Sequence, residues 1–176
     1  TILTETRLDS SKVNQILVKD VLTALQKIAA DHRSKFNVPV IGITGSNGKT
    51  TVKEWLYHLL KDKYKIVRSP KSYNSQIGVA LSVLEMDETD ELAIFEAGIS
   101  KEGEMAALEK MIQPTTGIFT GIGDAHNSGF KGDNPEVIKQ KEKYLLFLNT
   151  KHVIEKQADC FLSLIHISEP TRPLYI

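Results

Sequence analysis

A single cysteine, Cys160, is all the sequence offers. No internal disulfide can close, and a reducing cytoplasm suits such a chain. Net charge of either sign is also missing, since 22 basic and 22 acidic residues cancel. That leaves no polyanion-binding surface and argues against nucleic acid as a partner. A phosphate ligand is still allowed, because backbone amides and one lysine can bind it without net charge. No apolar run approaches the ~20 residues needed to cross a bilayer, and the start shows no signal-peptide pattern. Internal repeats are absent. What remains is a chain of 176 residues, 41% hydrophobic and 25% charged, enough for one globular domain with a proper core.

Periodicity alternates along most of the chain. Residues 1–17, "TILTETRLDSSKVNQIL", have no strong period and read as the remnant of a preceding unit or linker. Val21, Leu22, Leu25, Ile28, Ala29 and His32 follow helical spacing, which predicts an amphipathic helix over about 18–35. Val38–Ile43 reads as a buried strand. Val52, Trp55, Leu56, Leu59 and Leu60 mark one face of the next helix. Tyr64–Val67 is a short strand, "SPKSYNSQ" a polar loop, and Ile77–Leu84 a short helix. "ELAIFEAG" is a second buried strand ending in an acid and a glycine. Met105, Leu108 and Met111 face inward on a helix over about 102–112, and "TGIFTGIG" is a further strand. The last helix covers about 135–149, with Val137, Lys141, Tyr144, Leu145 and Leu148 on one stripe. Strands alternating with helices predict an α/β fold, a P-loop-type parallel sheet flanked by helices, over residues 18–161. Residues 162–176, "LSLIHISEPTRPLYI", break the alternation and read as a non-native tail resembling translated cloning or adapter DNA, outside the fold.

The chemistry concentrates in "VIGITGSNGKTT", where a strand runs into a glycine-rich turn and a helix N-terminus. Free amides and the helix dipole favour an anion there, and glycine lets the backbone approach phosphate closely. Gly45, Ser46, Asn47, Gly48, Lys49, Thr50 and Thr51 form the expected cradle. Lys49 can reach the β- and γ-phosphates, and the Thr50 hydroxyl can ligate Mg²⁺. The spacing departs from the strict G-x-x-x-x-G-K-[ST] pattern: Ile43 occupies the position of its first glycine, and Gly42 comes one residue early. Glu96 sits at a strand's carboxyl end, where α/β sheets place ligand-binding groups, and a carboxylate there can hold a Mg²⁺ bridging phosphates. His126, in "GDAHNSGF", follows the next strand, with Asp124 nearby as a weaker candidate.

Together these stretches resemble the central domain of the Mur ligases, the ATP-dependent amino-acid-adding enzymes of peptidoglycan synthesis. "GITGSNGKTT" is similar to the family's ATP loop. "FEAGISKEGEM" resembles its E-x-G-x-x-x-x-G-E segment, which implies Glu96 as a Mg²⁺ ligand. "AHNSGF" resembles A-H-L-E-G-F, which implies His126 as ligand to a second Mg²⁺. "SYNSQIGVALSVL" is similar to N-x-N-x-x-I-G-V-P, with Ser72 replacing the first Asn and Ala80 the Pro; it implies Asn74 near the reacting phosphate. Lys143-Tyr144-Leu145-Leu146-Phe147 fits K-x-x-[LI]-F, the site of a carbamylated lysine that binds the second Mg²⁺. Lys141 is the neighbour with which it could be confused, though Lys141 falls on the expected core stripe.

Within the family, "HRSKFNVPVIGITGSNGKTTVKEWL" is most similar to the member that joins D-Ala-D-Ala to a UDP-MurNAc-peptide. The resemblance covers about residues 18–155. It implies ATP and Mg²⁺ as cofactors, Lys49, Asn74, His126 and Lys143 in catalysis, and no membrane segment. It also implies that an N-terminal UDP-sugar domain, of which 1–17 is a remnant, and a C-terminal closing domain belong to the same enzyme. The chain by itself is then expected to be inactive and to fold poorly. The rivals are another Mur or folylpolyglutamate-type ligase, and a P-loop NTPase that makes no covalent product. Thr50-Thr51 departs from the G-T-N-G-K-G-S of the folyl enzymes, and a switch NTPase needs an Asp where the strand ends in Glu96.

Overall fold

The computed structural model describes residues 1–9, 13–121, 130 and 134–155. Its centre is a five-stranded, wholly parallel sheet built from β3 (Val40–Thr44), β4 (Ile66–Arg68), β5 (Leu92–Glu96), β6 (Thr116–Phe119) and β7 (His152–Glu155), in the order β4-β5-β3-β6-β7. β1 (Ile2–Thr4) and β2 (Gln15–Leu17) form a separate parallel pair. Between the strands lie α1 (Val21–Ser34), α2 (Lys49–Leu60), α3 (Gln76–Leu84), α4 (Glu104–Ile112) and α5 (Pro135–Tyr144), the last followed by a 3-10 turn at Leu145–Phe147.

The sheet is covered on both faces, as a parallel sheet requires. Strand alternation sorts the side chains. Val40, Ala93 and Phe95 join Met105, Leu108, Met111, Ile112, Leu146 and Phe147 under α1, α3, α4 and the 3-10 turn. Ile43, Leu92 and Ile94 face the other way, against Val52, Leu56 and Leu60 of α2. Each such fully buried side chain contributes roughly 1.5–3 kcal/mol of transfer free energy. Arg33, buried near the end of α1, donates from Nε to the Ile112 carbonyl at 2.9 Å and from Nη2 to the Gln113 carbonyl at 3.1 Å. It thereby satisfies the orphan acceptors that end α4.

Several expectations change. The preceding segment carries β1 and β2 rather than no structure, and β7 adds a fifth strand beyond the predicted helix. On α2, Trp55 is 67% and Leu59 78% exposed, so the apolar face narrows to Val52, Leu56 and Leu60. Lys53 is wholly buried instead. The last helix stops at Tyr144, and its inward face carries Lys139, Gln140 and Lys143; Lys141 and Leu148 are exposed. The expected core stripe is therefore wrong at Lys141. The reason is common to both helices. Near the sheet's end each helix turns in a lysine that finds polar partners, Lys53 among carboxylates and carbonyls and Lys143 at the Ser46 hydroxyl, which apolar period does not register.

Candidate active site

Parallel strands bring their carboxyl ends to one edge. Ile43 pairs with Glu96 across β3 and β5, and Thr44 with Phe119 across β3 and β6. Residues 45–48 turn over that edge. Gly45 has φ +143°, and a Cβ there would lie 2.1 Å from Thr120 Oγ1, so only glycine fits. The Ser46 amide donates to the Gly121 carbonyl at 2.8 Å, and the Thr120 hydroxyl donates to the Asn47 carbonyl. The loop is thus fastened to the exit of β6. α2 begins directly at Lys49, capped by Gly48 in the left-handed region with no side-chain acceptor for its first amides. Such amides are the donors that an anion satisfies.

One wall of the site surrounds Glu96, whose side chain is fully buried. Thr50 Oγ1 donates to Glu96 Oε2 at 3.0 Å, and Asn74 Nδ2 approaches the same oxygen at 3.5 Å. Oε1 makes no hydrogen bond among the described residues. It faces the ammonium of Lys53 at 3.0 Å, an ion pair held by charge, because the hydrogen bonds of that ammonium run to the carbonyls of Ser69, at 2.8 Å, and Lys71. Lys71 adopts φ +48°, which is unusual for a residue with a side chain and belongs to the same turn. Gly98 allows the Asn74 loop to close against the strand end: a Cβ there would sit 2.8 Å from Asn74 Oδ1. Further out on α2, Glu54 pairs with Lys53 at 3.1 Å and with Arg68, whose guanidinium stacks 3.8 Å over the Tyr57 ring.

The opposite wall is cationic. Gly45, Ser46, Lys49, Asn74, Gly98, Ile99, Ser100, Lys139 and Lys143 line a cleft of about 220 Å³. Lys49 Nζ donates to the Gly45 carbonyl at 2.8 Å, folded over its own loop. Lys143 Nζ donates to Ser46 Oγ at 2.9 Å. Burial lowers the pKa of Lys143 to about 7, and the charges of Lys139 and Lys49 push it the same way. Lys49 is also lowered, chiefly by burial, with Glu96 raising it and Lys139 lowering it. α5 is pinned in place by Glu142, whose Oε1 accepts from the amides of Gly103, at 2.7 Å, and Met105 at the start of α4.

Of the residues singled out in the sequence, Gly45, Ser46, Lys49, Thr50, Asn74, Glu96 and Lys143 meet at this edge. Asn47 and Thr51 are exposed beside it. His126 and Asp124 lie outside the described residues. Missed were Lys53 and Lys139, both charged residues on faces expected to be apolar or solvated. For Lys53 the available signal was its position three residues after Thr50, one helical turn on and on the same side.

The donor set suits a hard cation. Thr50 Oγ1 and Glu96 Oε2 are adjacent oxygens of the kind Mg²⁺ takes, while Glu96 Oε1 faces Lys53. A second cation would meet the amine of Lys143, which becomes an oxygen ligand only as a carbamate.

Comparison with known proteins places these features. The sequence profile of the Mur ligase middle domain matches residues 43–167. The UDP-N-acetylmuramoyl-tripeptide–D-alanyl-D-alanine ligase of Bacillus subtilis is 33% identical over 153 residues, 82% of this chain and 34% of that enzyme. Its counterpart in Borreliella burgdorferi is 42% identical over 116 residues, 66% of this chain and 25% of that one. The chain thus spans between a quarter and about a third of the curated relatives it matches. Among solved structures, MurF from Acinetobacter baumannii superposes with a TM-score of 0.81 at 28% identity, covering 89% of this chain and 35% of that one. MurF from Thermotoga maritima in complex with ADP superposes at 0.74 and 29% identity, covering 87% and 36%. The chain therefore belongs to the Mur ligase family, with residues 43–167 matching its middle domain.

Proposed function

We propose that these residues are the ATP-binding part of an ATP-dependent amide ligase that adds D-Ala-D-Ala to a UDP-MurNAc-tripeptide in peptidoglycan synthesis. The observation that carries the reading is the hydrogen bond from Thr50, the residue after Lys49 in the loop-to-helix turn, to Glu96. It joins a metal-suited oxygen pair to a phosphate-suited loop. The relatives named for that reaction, and one structural neighbour that holds ADP, support the assignment.

The reaction has two steps. The γ-phosphoryl group of ATP passes to the terminal carboxylate of the UDP-MurNAc-peptide, giving an acyl phosphate and ADP. The amine of D-Ala-D-Ala then attacks the acyl carbon, loses a proton, and phosphate leaves through a tetrahedral intermediate. The protein's part is positioning and charge stabilisation. The amides of residues 46–50 and the Lys49 ammonium bind the phosphates; a phosphate oxygen competes with the Gly45 carbonyl for the Lys49 protons. Asn74 presents its amide at the cleft beside Glu96. Thr50 and Glu96 would hold one Mg²⁺, and Lys143, as a carbamate, a second together with His126. When bound, the cations neutralise a carboxylate and a phosphate that otherwise repel. Lys143 suits carbamylation because the neutral amine attacks CO₂, and a pKa near 7 supplies that form. The proposed location is the cytoplasm, in keeping with a single cysteine and no disulfide.

The test uses the complete polypeptide to which these residues belong, given ATP and UDP-MurNAc-tripeptide. Phosphate release should require D-Ala-D-Ala, and meso-diaminopimelate, lysine and glutamate should not replace it. A preference for one of those would reassign the enzyme within the family. Hydrolysis indifferent to every acceptor would reject the ligase reading.

A further inference from the structure

The buried Lys53 has no role in the reaction as described above, although it touches the residue proposed to bind metal. Thr50 and Lys53 lie three residues apart on α2 and take one oxygen each of the same carboxylate. Thr50 stands at Oε2, 3.0 Å away, on the side where Asn74 meets the cleft. Lys53 stands at Oε1, also 3.0 Å away, on the side turned into the protein. We propose that Lys53 determines which divalent cation the site accepts, by occupying Glu96 Oε1 and leaving only Oε2 for a metal. The proposal rests on the reading of Glu96 as a metal ligand.

The argument is one of coordination number. Ca²⁺ takes six to eight oxygens and readily binds both oxygens of a carboxylate, whereas Mg²⁺ demands a near-ideal octahedron and uses carboxylates sparingly. A glutamate with one oxygen permanently engaged offers a metal a single oxygen and no chelating pair, which satisfies Mg²⁺ and starves Ca²⁺. Lys53 cannot step aside when a cation arrives. Its side chain is fully buried, and its ammonium is anchored by the carbonyls of Ser69 and Lys71 and by the Glu54 carboxylate, as well as by Glu96. The same anchors fix the turn of residues 69–74 that delivers Asn74 to Oε2. Lys53 is therefore a positioning residue that acts through Glu96.

ADP affinity of the complete polypeptide, measured by calorimetry in Mg²⁺, in Ca²⁺ and in chelator, tests this for the native sequence and for Lys53→Met. The native protein should bind ADP more tightly with Mg²⁺ than with Ca²⁺, and Lys53→Met should shrink that preference by about tenfold. An unchanged ratio overturns the proposal, whatever the variant does to the melting temperature. ADP binding by the native protein that ignores cations altogether removes Glu96 as a ligand, and the role of Lys53 with it, which is a separate result from an unchanged ratio. Should Lys53→Met not fold, crystals of the native protein with Mn²⁺ and ADP decide: the ion should lie within about 2.5 Å of Oε2 alone, and a chelating Glu96 overturns the proposal.

Discussion

The two walls of the cleft handle charge in opposite ways. Around Glu96, every formal charge has an opposite within contact: Lys53 against Glu96 and Glu54, and Arg68 against Glu54. Around Ser46, burial lowers the proton affinity of Lys143 and Lys49, and the charge of Lys139 adds to the lowering at both. On the first wall charge meets opposite charge, while on the second Lys49 and Lys143 are held by neutral oxygens of the loop. A compensated wall fixes geometry, and an overcharged wall stores the electrostatic attraction that binding releases. That division suits the proposed reaction, in which a polyanion binds beside ligands already in place.

The comparison breaks most visibly at Lys49. Lys49→Ala in the complete polypeptide should lower ATP-dependent ligation by about 10²–10³-fold or more, with the circular dichroism spectrum unchanged. Near-normal turnover would show that the cationic wall does not hold the transferring phosphate. Next comes the compensated wall. Glu96→Ala leaves Lys53 buried beside an empty space and should cost about 3 kcal/mol of stability, read from urea unfolding. The double variant Glu96→Ala/Lys53→Met should recover most of that loss, since removing both charges of a buried pair is far less costly than removing one. No recovery would mean the pair is not the unit that matters.

The subtlest effect concerns Lys143. Its folded pKa, about 7, lies below the ordinary lysine value of 10.5. Between those two pH values the unfolded chain binds a proton that the folded chain has released. Stability contributed by this group therefore rises with pH across that interval, and the penalty is fully present below about pH 7. Lys143→Met should flatten the rise in melting temperature between pH 7 and 9. With ¹³C-bicarbonate, a carbamate resonance should appear near neutral pH and vanish in the same variant. A resonance that persists in Lys143→Met would move the carbamate to another lysine.

How much of this was legible beforehand depended on whether apolar packing or charge pairing set the local structure. Where a helix lies on the sheet, the apolar period reads correctly: Met105, Leu108 and Met111 are all fully buried. The strands are found but their ends shift: "ELAIFEAG" narrows to Leu92–Glu96 and Tyr64–Val67 becomes Ile66–Arg68, because ladder pairing and not apolar composition sets the ends. At the cleft the same reasoning misled. Trp55 and Leu59 look like core by period, yet the sheet needs only Val52, Leu56 and Leu60 from α2, and Lys53 turns inward because two carboxylates and two carbonyls await it. Lys139 and Lys143 replace Lys141 on the inner face, where Lys143 donates to the Ser46 hydroxyl of the loop. An ammonium buried among acceptors leaves no trace in hydropathy, since apart from Glu54 its partners come from distant residues such as Ser69 and Glu96.

The fastening of the loop to β6 reaches beyond the loop itself. Ser46 leans on Gly121, and Asn47 is held by Thr120, so two stretches of chain more than seventy residues apart make a single clasp. Grafting "GSNGKTT" alone onto another scaffold would carry over half of that clasp. The recess it shapes would relax unless a Thr-Gly pair from a neighbouring strand travelled with it.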